Sequence, residues 1–275
     1  MTFVTRPPSP PLDACVASLW CYHSAPRPFA FERVLPKGAA QLIVNLKEDR
    51  TRAYDEAGVC HVAPGAVVSG LGTRFEIIDT DEQEHVVGVS FHPGGTVGFF
   101  GTPAHEMVGL DVPLEALWGS DATARLRETL LAASTPEAAL DVMEHALRRA
   151  WRSRATHPAV AYALRAFDRR PETAKVSAVT EAVGMSRKRF IERFKAEVGV
   201  TPKQYCRVLR FQRAVTWAHT RAAVNWTELA LACGYFDQAH FIHDFRAFSG
   251  LTPTGYQAGR TEFQNHVTFL QSRGS

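Results

Sequence analysis

The sequence predicts an α+β protein: a mainly-β barrel or sandwich-like domain, then a helical connector, then an all-α domain at the C-terminus. Three observations carry this. Short runs rich in β-branched and aromatic residues, punctuated by Gly, Pro and Asp, fill the chain up to residue 119. From Ser120 onward apolar residues recur at intervals of three and four. In the last third, a set of six residue types repeats at one fixed offset.

A length of 275 residues suits two domains. With 45% hydrophobic and 21% charged residues the chain can build a sizeable core. No run of 18 apolar residues occurs, so no membrane span is expected. Met1–Leu12 is proline-rich without the apolar centre of a secretory peptide, so a cytoplasmic location is expected. Charge divides unevenly. Residues 1–151 hold 12 Lys and Arg against 19 Asp and Glu, whereas residues 152–275 hold 19 against 9. A basic second half suggests polyanion binding, with uneven solvated charge as the bland alternative.

In chain order, Gln41–Leu46, Ala66–Val68, Phe75–Asp79 and Val86–Phe91 read as strands. Asp121–Ala133 reads as a helix of the connector (120–151), and Thr135 caps the next, with Pro136 at its first position. Leu140, Met143, Leu147 and Trp151 form its apolar stripe, facing the β core or a second subunit. Residues 152–157 read as a linker, and Pro158 opens the helical domain, 152–275.

Within that domain Phe190, Phe194, Gly199, Thr201, Pro202 and Tyr205 recur as Phe241, Phe245, Gly250, Thr252, Pro253 and Tyr256. Each pair is 51 residues apart. The phenylalanines share one helix face. The glycine suits a left-handed C-terminal cap, and Thr-Pro starts the next helix. Upstream, Val176–Val183 before Gly184 and Trp226–Cys233 before Gly234 read as short helices, each followed by a helix capped at Ser186 or Asp237. Short helix, glycine turn and capped second helix make a helix-turn-helix unit, here at about 174–199 and 225–250.

The segment from Gly234 through Phe241 to Tyr256, with the first unit from Gly184 to Tyr205, resembles the AraC/XylS family over roughly residues 158–258. The resemblance implies seven helices, with Pro202–His219 as the long connecting helix, and transcription control through double-stranded DNA, either activating or repressing. It implies RNA polymerase, a small-molecule effector and a homodimer as further partners. More loosely, Pro36-Lys37-Gly38 and Phe91-His92-Pro93-Gly94-Gly95 resemble an uncharacterised sensor-like domain found ahead of such regulators.

A recognition helix buries one face and offers the other to the major groove. With Phe190, Phe194 and Val198 inside, Arg187, Lys188, Ile191, Glu192 and Lys195 face outward. With Phe241, Phe245 and Phe248 inside, Gln238, Ala239, Ile242, His243 and Arg246 do so. Gln238 suits adenine, and Lys188 or Arg187 suits guanine. Glu192 suits cytosine N4 or an ion pair with Lys188. Ile191 and Ile242 suit a thymine methyl, or else the core. His240 reads as structural or phosphate-contacting. Arg207, Arg210 and Arg213 suit phosphates or a solvated face.

Neither enzyme chemistry nor a cofactor is expected. His61, His85 and His92 with Cys60 lack metal-ligand spacing, and Cys15 and Cys21 would sense oxidants only as exposed, low-pKa thiols. These remain the rival readings, together with DNA binding of low sequence preference. An apolar small molecule or none is expected in the N-terminal domain, on the aromatic residues Trp20, Phe75, Phe91 and Phe99.

Overall fold

The structure is a computed structural model that describes residues 1–152, 156–173 and 175–269. Residues 153–155, inside the expected linker, and Ala174, at the expected start of the first unit, lie outside the described residues.

The N-terminal strands are β1 (Thr2–Arg6), β2 (Val16–His23), β3 (Phe31–Val34), β4 (Gln41–Asn45) and β5 (Arg50–Tyr54). They continue as β6 (Cys60–Pro64), β7 (Ala66–Ser69), β8 (Glu76–Asp79), β9 (His85–Phe91) and β10 (Asp111–Pro113). One sheet has the order β1-β2-β9-β4-β7-β10 and is antiparallel throughout. The second has the order β11-β3-β8-β5-β6, where β11 is His266–Phe269 from the far end of the chain. Of the two forms left open by the sequence, the sheets take the antiparallel sandwich: each sheet ends in edge strands.

Period-two alternation sorts the side chains of the first sheet. Leu19 and Cys21 on β2, Leu42 and Val44 on β4, and Val87 and Val89 on β9 point outward into a buried core. Their neighbours Trp20, Ile43 and Val86 point inward, toward a cavity between the sheets.

The outward face is covered by helices. After α1 (Val97–Phe100) come α2 (Leu114–Trp118), α3 (Ser120–Leu131) and α4 (Pro136–Ala150). Thr135 caps α4 by accepting from the Ala138 N–H at 3.1 Å. Leu140, Met143 and Leu147 are fully buried in the same core as β2 and β9. The connector is therefore one layer of the N-terminal domain, which removes the need for a second subunit to cover the stripe.

The helical region comprises α5 (Pro158–Arg169), α6 (Val176–Ala182), α7 (Arg187–Val198), α8 (Pro202–His219), α9 (Trp226–Ala232), α10 (Gln238–Ser249) and α11 (Pro253–Gly259). It has two cores, one per helix-turn-helix unit. Each recruits an N-terminal residue, Leu71 in the first and Leu35 in the second. Beyond α11 the chain turns back, and β11 pairs with β3 from Phe31 to Val34. Nothing in the helical periodicity announces this return, because a four-residue strand completes a pattern supplied by a distant partner.

Candidate nucleic-acid interface

The two units are built alike. In the first, α6 leads through Gly184 to α7, whose cap Ser186 accepts from the Arg189 N–H at 3.4 Å. In the second, α9 leads through Gly234 to α10, whose cap Asp237 accepts from the His240 N–H at 2.7 Å. Gly234 is the demanding position. Its φ is +79°, and a Cβ there would stand 2.2 Å from Glu172 Cβ, so a side chain is excluded by both conformation and space.

Phe190 and Phe194, like Phe241 and Phe245, are completely buried, and the rings of each pair contact at 5.8 and 5.5 Å between centroids. Thr201 and Thr252 then cap α8 and α11 by accepting from Gln204 and Gly255 N–H. Thr201 completes a capping box with Gln204. The 51-residue repeat is thus a repeat of packing and of capping as well as of letters.

With that register, Arg187, Lys188 and Glu192 on α7 and Gln238, Ala239, His243 and Arg246 on α10 are exposed. Lys195, Ile191 and Ile242 are half-buried, the two isoleucines packing on the edges of the two cores. Their β-branched side chains cover the outer rim of the buried stripe, which is wider than two phenylalanines and the residue after them. Gln238 is held by Thr227, whose hydroxyl donates to Oε1 at 2.9 Å. His240 accepts from the Phe236 N–H at 3.5 Å and lies edge-on to Tyr235, a structural placement.

The arginines of α8 are half-buried, and each has a partner within the protein. Arg207 makes two bonds to Asp244, the closer at 2.7 Å, and this partner raises its pKa. Asp244 lies on α10, 2% exposed, so the pair pins the second recognition helix to the linker helix. Arg210 lies over the Tyr235 ring and donates to the Gly234 carbonyl at 3.3 Å, and Arg213 bonds Glu172 at 2.7 Å. All three brace the junctions around α8 from within the protein.

One exposed feature escaped the sequence reading. Phe236, in the turn before α10, is 86% exposed, and Leu231 on α9 is 58% exposed. The signal was present: an aromatic residue between the core Tyr235 and the cap Asp237 has no inward direction left.

Both recognition helices end against the N-terminal domain. A Cβ at Gly199, after α7, would stand 3.0 Å from Val108. At Gly250, after α10, it would stand 2.3 Å from the Phe75 ring. Arg33 of β3 donates to the Ser249 carbonyl at 3.0 Å, satisfying the C-terminal end of α10, and stacks on Phe75 at 4.2 Å.

The thiols behave as core residues. Cys15, Cys21, Cys206 and Cys233 are buried, and burial raises the pKa of each. This is opposite to what an oxidant sensor needs. Only Cys60 is exposed. Among the described residues no three His, Cys, Asp or Glu side chains are grouped to hold a metal ion, and no helix is long and apolar enough to cross a membrane.

Comparison with known proteins agrees with this geometry. Residues 179–259 match the model of a helix-turn-helix domain family, and residues 4–113 match a domain of unknown function (DUF6597). The HTH-type transcriptional activator RhaS of Escherichia coli O139:H28 (strain E24377A / ETEC) is 33% identical over 87 residues, 31% of each chain.

This chain resembles an AraC/XylS-family transcriptional regulator.

The match to RhaS spans about a third of that relative's length. Among solved structures, an AraC-type transcriptional regulator from Chromobacterium violaceum is 25% identical, with 37% of this chain and 90% of that one covered and a TM-score of 0.34. ToxT from Vibrio cholerae is 10% identical, with 94% and 98% covered and a TM-score of 0.45.

Proposed function

We propose that this protein is a sequence-specific DNA-binding transcriptional regulator of the AraC/XylS type, reading two successive major grooves with α7 and α10. One observation carries the reading. Two capped helices with equivalent buried faces each offer an unburied polar face, and a single helix joins their units. The 18 residues of α8 extend about 27 Å, comparable to the ~34 Å between successive major grooves on one face of DNA. The basic balance of residues 152–275 supplies the electrostatic attraction.

In this reading Arg187, Lys188, Glu192, Gln238, Ala239, His243 and Arg246 meet the groove, with Lys195, Ile191 and Ile242 at its edge. Arg210 serves by orienting the Gly234 turn. RNA polymerase is the protein partner at the promoter, where RhaS-like activation is the expected output. A small-molecule effector occupies the β-sandwich, and two chains pair on adjacent sites.

The test is a binding titration of Gln238→Ala and Lys188→Ala against single-base operator variants at two salt concentrations. Each loss should cost about 1–3 kcal/mol on the cognate operator and relax preference at one position. Equal weakening on every variant would show that these side chains only position the protein.

A further inference from the structure

The sandwich encloses a cavity of about 370 Å³, within the range of small-molecule sites. Its apolar walls include Trp20, Ile43 and Ile78 between the sheets and Phe3 and Phe263 at the rim. Its polar lining is unevenly matched. Arg27 is taken by Glu262 at 2.7 Å, and Arg74 points out to Glu56 at 3.2 Å. Beside these, the lining holds Lys37 and three carboxylates, Glu32, Glu76 and Asp111.

Glu76 and Asp111 have no ion-pair partner within 4 Å among the described residues. Burial, then the neighbouring Asp111, pushes Glu76 up to about 7, and burial raises Asp111. Lys37, exposed at the surface, donates to Gln41 Oε1 at 3.3 Å. Two further acceptors stand in the wall. Glu32, 5% exposed, spends one oxygen on His266 at 2.8 Å and leaves Oε1 without a partner. Thr51, 7% exposed, leaves its hydroxyl without one. Glu76 and Asp111 are half-buried, and Asp111 accepts from the Ser69 hydroxyl. Buried acceptors without donors, Glu32 Oε1 and the Thr51 hydroxyl, are costly, and a guest bearing N–H groups and positive charge removes that cost.

The wall is also shared with the DNA-binding half. The segment after α11 lines the cavity from Phe263 to His266. On one side it is held by the N-terminal domain: β11 pairs with β3, and Leu35 N–H donates to the Asn265 carbonyl at 2.8 Å. On the other it is held by α8 and α11. Gln212 of α8 donates to Asn265 at 2.9 Å and to the Pro36 carbonyl at 2.6 Å. Gln264 donates to Thr216 at 2.7 Å, and Tyr256 of α11 donates to the Gln264 carbonyl at 2.8 Å.

We propose that this cavity binds a small aromatic organic cation through Glu76 and Asp111, and that segment 263–269 is the shared wall through which occupancy repositions α8 and the second helix-turn-helix. This rests on the effector reading above and gives it a ligand class and a route. Phe263 is one of the aromatic residues that line the cavity. Its ring also packs edge-on against Phe3 and Tyr22 at 5.7 and 5.8 Å, so a guest that moves it pulls on the strand behind it.

The test uses the full chain and three probes of one shape: 1-naphthylmethylammonium, 1-naphthalenemethanol and 1-naphthalenesulfonate. Calorimetry should show one site per chain, with the cation at least tenfold tighter than the alcohol and the sulfonate weakest. Glu76→Gln should erase the cation's advantage while keeping the alcohol's affinity, which also shows that the variant is folded. Equal binding of cation and alcohol, or preference for the sulfonate at Lys37, overturns the ligand class.

For the route, the cation should change operator affinity several-fold in the natural chain. In Gln212→Ala/Thr216→Ala, which removes both links to α8, it should bind as well but leave operator affinity unchanged. Persistence of the effect in that double variant overturns the route. A chain that binds the cation but no operator DNA defeats the DNA-binding reading and leaves the site standing. A chain that binds operator but no cation does the reverse.

Discussion

Replacing Asp244 by alanine should loosen the second recognition helix from the linker helix without altering which bases are read. Asp244 is 2% exposed and accepts two bonds from Arg207, the closer at 2.7 Å. Removing one partner of a buried ion pair typically costs ~3–5 kcal/mol, because the other charge stays buried and unpaired. Here the Arg207 side chain is 35% exposed and regains water, so the expected cost falls to about 2–3 kcal/mol. For a unit of this size that lowers the melting temperature by on the order of 5–10 °C.

The assay is thermal unfolding of Asp244→Ala, Arg207→Ala and the double variant, followed by operator titration well below the transition. The double variant should be little worse than either single one, giving a coupling energy above ~1 kcal/mol. Preference among operator variants should be preserved. Additive losses in the cycle would refute the pair as the link between α8 and α10. So would a fall of about one in the salt slope for Arg207→Ala, since that is the signature of a lost phosphate contact.

Three further outcomes are expected. Glu144 is buried, which opposes ionisation, but bonds from Arg6, Arg148 and the Ser9 N–H prevail and hold its carboxyl down at about 2. A depressed acid contributes stability above its unfolded pKa of about 4.5 that is lost as pH falls toward 2. Glu144→Gln should therefore cost about 1.5–3 kcal/mol at neutral pH and flatten the decline of melting temperature below pH 4.5. Gly250→Ala should cost about 1–2 kcal/mol from its φ of +66°, and more from collision with Phe75. Differential scanning calorimetry should show the two halves of the chain unfolding less cooperatively, and an unchanged single transition would contradict that contact. Under native conditions a thiol reagent should modify Cys60 alone, read by peptide mass mapping, because burial both shields the other four cysteines and raises their pKa.

The tandem units could be read from the sequence because everything that defines them is local. A helix face is set by spacing, a cap by one side chain and its neighbour's N–H, and a left-handed turn by glycine. Phe190 and Phe241 with their partners therefore announce the burial that the structure has. The strands Gln41–Leu46 and Val86–Phe91 were legible by composition for the same reason. What sequence could not carry was every relation between distant segments. Whether Arg207 faces DNA or Asp244 depends on how α8 and α10 cross, and half-burial of Ile191 and Ile242 depends on the width of each core. Of the aromatic residues expected to mark a ligand site, Trp20 does line the cavity, but Phe91 and Phe99 fill the outer core and Phe75 meets Gly250. The charged side chains that line the cavity, Arg27, Glu32, Lys37, Arg74, Glu76 and Asp111, are brought together only when the sheets close. The return of β11 to β3 is the furthest of these: four residues have too little pattern to declare a strand, and only the open edge of a sheet more than 200 positions earlier makes them one.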